Sequence, residues 1–163
     1  MILKFNYKNI HQLPKIEKVT CNLGLKNAVQ NKYLLSQGLM ALELITGRRS
    51  KITISKKNVV SIAVRSKSPV GCKTTLRKRK CYAFLDLLNT LVLPKIKYLK
   101  PDTVLDNKGN YTLTIKNPVI FPALEEEYNK FKNLTPLNIT INTTATNDNE
   151  AKALLSGLQL PVC

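Results

Sequence analysis

The sequence predicts an α+β fold: an antiparallel-rich sheet with helices packed on one face and a projecting basic loop, in a single domain spanning residues 1–163. Three observations predict it. Segments that alternate apolar and polar side chains interleave with segments of helical spacing, in the order strand, helix, strands, helix, strands, helix. Apolar residues make up 44% of 163 positions, enough for one core at that length. No internal repeat and no flexible linker divides the chain.

The first strand is Lys15–Leu25, where Ile16, Lys18, Thr20 and Asn22 alternate with Glu17, Val19, Cys21 and Leu23. One face is thus apolar and the other carries Lys, Thr and Asn. Lys32–Thr46 places Leu35, Leu39, Leu42 and Ile45 at helical spacing, and Gly47 stands where a C-cap belongs. Lys51–Ile54 and Val70–Leu76 read as strands. The basic, locally apolar stretch Lys56–Pro69 between them reads as a long hairpin whose tip leaves the body, against a rival reading as a regular buried strand. Lys78–Lys97 is a second amphipathic helix with Cys81, Phe84, Leu85, Leu88 and Val92 as its stripe, and Pro94 kinks or ends it. Residues 98–110 form a loop with a turn at Asp106–Asn110, and Tyr111–Ile115 and Leu137–Thr144 are strands. The last helix begins with Asn147 as cap and Glu150 as a capping-box partner. Ala151, Leu154, Leu155 and Leu158 form its core face, and Gly157 and Pro161 close it.

Charge narrows the function. There are 26 Lys and Arg against 10 Asp and Glu, a net charge of +16. From Gly47 to Lys80 the chain has 12 basic residues and no acid. Such an excess costs self-repulsion unless a polyanion shares the functional state, and nucleic acid fits before an anionic membrane surface. The richness in Lys and Asn matches AT-rich coding, as in organelle genomes. Cys21, Cys72, Cys81 and Cys163 form no CxxC and lie far from the one histidine, His11, so neither a metal site nor a cofactor is expected, and reduced thiols are. MILKFNYKNI is too short for a signal h-region and lacks a transit-peptide pattern, and no apolar run reaches membrane length. A soluble protein, made where it works, is expected.

No enzyme is expected, and no small-molecule substrate. His11 is remote from any nucleophile, Glu125–Glu127 are adjacent and do not converge on one site, and no Gly-rich phosphate loop has the required spacing. RNA binding, in contrast, needs cations for phosphates and amides or hydroxyls for sugars and base edges. Lys18, Thr20 and Asn22 on the first strand provide these, as do Lys73, Thr75 and Arg77 on strand 70–76, where Cys72, Thr74 and Leu76 point the other way. Two such strands side by side make a polar platform. The competing reading is an ordinary solvated sheet face.

Five segments carry a resemblance: FNYKNIHQLPKIEKVTCNLGL (5–25), LITGRRSKIT (44–53), SPVGCKTTLR (68–77), GNYTLTIKNPVIFPALE (109–125) and LNITINTTATNDNEAKALLSGLQLP (137–161). In this order and spacing the chain resembles the universal large-subunit ribosomal protein number five, the 5S-rRNA-binding family. The resemblance implies a structural constituent of the large subunit, placed in the central protuberance. Its partners would be 5S rRNA, large-subunit rRNA, neighbouring ribosomal proteins and, through a loop, peptidyl-site tRNA. It implies rRNA contacts at Lys18, Asn22, Arg48, Arg49, Lys73, Thr75 and Arg77, to which the basic block itself adds Lys51, Lys78 and Arg79, and a tRNA-facing loop at about Asn58–Pro69, with Asn58, Ser61, Ile62, Arg65 and Lys67. This sequence departs from the family pattern at several places. Arg48 stands where a glutamine is usual, Ser61, Lys67 and Lys78 where glycines are, and Ile62 where a phenylalanine is; the family normally has a helix before FNY, and this sequence starts almost at FNY. Divergence, composition and short N-terminus point to a mitochondrial ribosome, organelle-encoded, with a plastid as the alternative. A free-standing RNA-binding or regulatory module is the alternative function, since it too explains the charge.

Overall fold

The period-2 run after Lys15 becomes β1 (Ile16–Gly24). Its inner positions Val19, Cys21 and Leu23 are fully buried, while Lys18, Thr20 and Asn22 are half-exposed. The alternation starts later than expected: Ile16 is buried as well, and Glu17 is exposed. The computed structural model describes residues 4, 5, 7, 9–29, 31–60, 64–96, 104–106 and 109–161.

Helix α1 (Lys32–Thr46) follows. Asn31 caps it by accepting the Tyr33 N–H at 3.0 Å, and Gly47 ends it in the left-handed conformation, φ 58°. Strands β2 (Lys51–Ile54) and β3 (Pro69–Arg77) pair antiparallel, Lys51 opposite Lys73 and Ile52 opposite Cys72. After α2 (Arg79–Leu87) the helix widens into a π-turn, Leu88–Val92, then tightens into a 3₁₀ turn, Leu93–Lys95. Pro94 explains the change, because it has no N–H to donate and its ring crowds the preceding turn. All five stripe residues, Cys81, Phe84, Leu85, Leu88 and Val92, are buried.

The loop expected over 98–110 contains a short strand, β4 (Val104–Leu105), paired with β5 (Tyr111–Ile115). The turn between them closes through Asp106 and Asn110, with Gly109 at φ 71°. Two one-turn helices, α3 (Pro122–Glu125) and α4 (Tyr128–Phe131), precede β6 (Leu137–Thr143). They are too short to show a period and were not expected. Helix α5 (Asp148–Gly157) has Asn147 at its N-cap, but without the side-chain hydrogen bond expected of it. Glu150 reaches back instead to the Thr146 hydroxyl at 3.1 Å. Gly157 is helical, and the left-handed closing residue is Gln159, φ 59°.

The six strands lie in the order β2-β3-β1-β6-β5-β4, so the α+β class with an antiparallel-rich sheet is found. The residues group into two compact units. In Cys21–Thr75 with Ile115–Asn138, α1 packs on α3 and α4, and Gln37 donates to the Lys130 carbonyl at 2.7 Å. Cys72 sits in this core, donates to the Leu35 carbonyl, and burial pushes its thiol up to about 11. In Met1–Thr20 with Leu76–Thr114 and Ile139–Cys163, the core holds Val19, Leu76, Phe84, Tyr111, Ile139, Ile141 and Leu155. The Tyr111 hydroxyl donates to the Pro161 carbonyl at 2.6 Å.

One residue, Lys78, joins β3 to α2, and the reversal drives it to φ 56°, ψ −134°. That region suits glycine and costs an L-residue roughly 1–3 kcal/mol. Lys78→Gly is therefore expected to stabilise the fold by about 1 kcal/mol after the glycine's extra chain entropy, raising the melting temperature by roughly 2–4 °C. Calorimetry checks this; an unchanged or lowered midpoint contradicts strain at the corner.

Candidate nucleic-acid interface

The fold turns the strands' polar positions outward because their apolar positions are claimed by the core. In the unit containing α1, β3 exposes Lys73 and half-exposes Thr75, while Cys72 and Thr74 are buried. Gly71 lies against the β1 backbone; an added Cβ would meet the Leu23 carbonyl oxygen at 2.4 Å. β1 contributes Asn22. Between α1 and β2, the Ser50 N–H and hydroxyl donate to Glu43 at 3.0 and 3.2 Å, and Thr46 donates to the Leu42 carbonyl at 2.6 Å. These bonds fix the corner that leaves Arg48, Arg49 and Lys51 exposed along a cleft of about 690 Å³ floored by Leu39 and Ile52.

Beyond β2 and β3 the hairpin continues. Ser55 pairs with Ser68, and Val59 and Val64 exchange backbone hydrogen bonds at 2.9 and 3.1 Å. Asn58 accepts the Ser66 N–H at 2.6 Å. Lys67 takes φ 66° in the turn Arg65–Ser68, a left-handed conformation that favours glycine. Val60 is 93% exposed and Val64 only 6%, so the segment is a hairpin and not a uniformly buried strand. Arg65 and Lys67 are exposed; Ser61 and Ile62 lie outside the described residues.

In the other unit, Lys18 and Thr20 of β1 and Arg77 of β3 face outward, with Lys78 and Arg79 exposed at the following corner. The sequence-based expectation missed Thr140 and Asn142 of β6 and Thr112 of β5, also on outward positions. Thr112 and Thr140 meet at 3.4 Å, and Asn142 donates to Asn110 at 3.0 Å. Asn138 occupies the matching outward position of β6 in the first unit. The alternation in LNITINT was the available signal.

Among the described residues, Lys18, Arg48, Arg49, Lys51, Arg65, Lys67, Lys73, Arg77, Lys78 and Arg79 make no salt bridge. From Gly47 to Lys80 the chain has no acid, and Glu43, which lines the cleft beside Arg48, Arg49 and Lys51, accepts from Ser50. Unpaired cations beside outward amides and hydroxyls suit a phosphate backbone with ribose and base edges. No group of metal-ligating side chains occurs among the described residues.

An α+β fold with this surface suits the class of nucleic-acid-binding proteins. The family model for ribosomal protein L5 matches residues 9–65, and the model for the C-terminus of the same ribosomal family matches residues 69–162. The large ribosomal subunit protein uL5m of Reclinomonas americana is 43% identical, over 99% of this chain and 90% of its own length. The uL5 of Neisseria gonorrhoeae is 40% identical, over 99% and 90%, and that of Geotalea daltonii 43%, over 96% and 88%. The chain belongs to the ribosomal protein L5 family and is a structural ribosomal constituent.

Proposed function

We propose that the chain acts as one rRNA-binding domain of the large ribosomal subunit. It holds 5S rRNA, large-subunit rRNA or both through the outward faces of β1 and β3, and reaches peptidyl-site tRNA with the hairpin. The observation that carries this reading is the outward set Lys18, Asn22, Lys73, Thr75 and Arg77, opposed on the same strands by buried Val19, Cys21, Leu23, Cys72 and Leu76. Arg48, Arg49, Lys51, Lys78 and Arg79 extend it with phosphate contacts. Asn58, Arg65 and Lys67 stand on the exposed side of the hairpin, which supports the tRNA contact; Ser61 and Ile62 complete that reading from the sequence. The ribosome is mitochondrial in this reading, supported by the Reclinomonas relative and by the Lys- and Asn-rich composition.

Short polar side chains on a strand give directional hydrogen bonds worth about 1 kcal/mol each, whereas an isolated cation mostly reads phosphate. Asn22→Ala and Thr75→Ala should therefore weaken binding to cognate 5S or large-subunit rRNA about fivefold, with little effect on a random duplex. Lys51→Ala should weaken both alike. Filter binding measures all three; equal losses on both RNAs would refute recognition by the strand faces. Co-sedimentation with large subunits at high salt separates an assembled constituent from a free-standing RNA-binding module.

A further inference from the structure

Away from the strand faces, the unit containing α5 has two neighbouring clefts that share one aromatic ring. The first, about 480 Å³, is lined by Phe5, Tyr7, Gln12 and Glu150 together with His11 and two threonines. The second, about 400 Å³, is lined by Phe5, Lys4 and Lys152 along the exposed side of α5. The Phe5 and Tyr7 rings stand 6.1 Å apart at 45°, and the Lys4 ammonium lies 6.0 Å from the Phe5 centroid. The first cleft is thus polar, aromatic and carries a carboxylate, and the second is cationic.

We propose that Phe5, Glu150, Lys4 and Lys152 form a binding site for a single guanine nucleotide of an RNA. The base lies in the first cleft against Phe5 and Tyr7, and the phosphate lies in the second. A carboxylate repels phosphate, so the first cleft admits the base end only. Among the bases, guanine alone presents two adjacent donors, N1–H and N2–H, which a carboxylate accepts together. Adenine offers an acceptor at N1 and meets repulsion there. Glu150 is already oriented, because the Thr146 hydroxyl donates to its Oε2 at 3.1 Å. Stacking on Phe5 serves any base, and the two lysines serve any phosphate. Selectivity therefore rests on Glu150.

Ligand-observed NMR titration of the full chain with GMP, AMP and CMP tests this. GMP should bind about tenfold more tightly than AMP or CMP, as expected for one bidentate contact. Glu150→Gln should remove that preference, and Phe5→Leu should weaken all three nucleotides about equally. Circular dichroism verifies that both variants fold. Thr75→Ala should leave GMP binding unchanged, which separates this site from the strand faces. Equal affinity for the three nucleotides, or a preference that survives Glu150→Gln, overturns the proposal. Binding of methylguanidinium without binding of GMP also overturns it, and would assign the cleft to a cationic side chain of a protein partner.

Discussion

Gly71→Ala is expected to destabilise the protein by about 3 kcal/mol, although alanine usually suits a strand better than glycine. The reason is the approach of β3 to β1. A Cβ at position 71 would stand 2.4 Å from the Leu23 carbonyl oxygen, 3.1 Å from the Thr53 hydroxyl and 3.4 Å from the Gly24 Cα. Two of these three obstacles are backbone, so no rotamer change relieves them. The Leu25 N–H also donates to the Val70 carbonyl at 3.0 Å, which keeps the strands from parting. Gly24→Ala is the control, since nothing lies within 4 Å of its Cβ and its φ is not in the left-handed region. Urea unfolding of both variants should show a large drop in midpoint for the first and a small change for the second. Equal midpoints would mean that the strands separate at little cost.

Replacing Arg48, Arg49, Lys51 and Lys73 together by glutamine is expected to lower rRNA affinity about a thousandfold at 0.1 M salt. The slope of log affinity against log salt should fall by about 4, because each neutralised phosphate contributes roughly one unit. The same replacement should leave the fold as stable or slightly more so. Lys51 and Lys73 are cross-strand partners, and like charges directly opposite oppose pairing by a few tenths of a kcal/mol. Affinity and stability thus move in opposite senses, which a general folding defect cannot imitate. Filter binding across a salt series, with thermal melting of the same samples, reads both. An unchanged salt slope would remove these four side chains from the RNA contact.

Much of this was legible in the sequence because local pattern and long-range packing agree. α1 runs over the expected residues, since its spacing and Gly47 point the same way. The outward set on β1 and β3 followed from alternation alone. The parts that were not legible depend on contacts between distant residues. β4 is two residues long and exists because β5 offers it an edge. Ile16 is buried although its pattern position is outward. α3 and α4 form single turns that no period announces. Asn147 caps α5 without its side chain, and Glu150 accepts from Thr146, one position outside the motif. The clefts around Phe5 join residues near position 5 with residues near 150, and no sequence window spans that distance.

The end of the sheet at β2 ties solubility to charge. Among the described residues this strand is paired on one side only, and Ile52 and Ile54 stand 49% and 58% exposed beside it. An open edge with apolar side chains is where copies of a chain add to one another. Lys51, Lys56 and Lys57 flank it, and in the unassembled protein the net charge of +16 holds copies apart. A polyanion that neutralises this charge without covering the edge removes the protection. Excess non-cognate RNA at low salt is then a precipitant for the unassembled protein, and an orphan copy remains soluble by the same cations that would later bind phosphate.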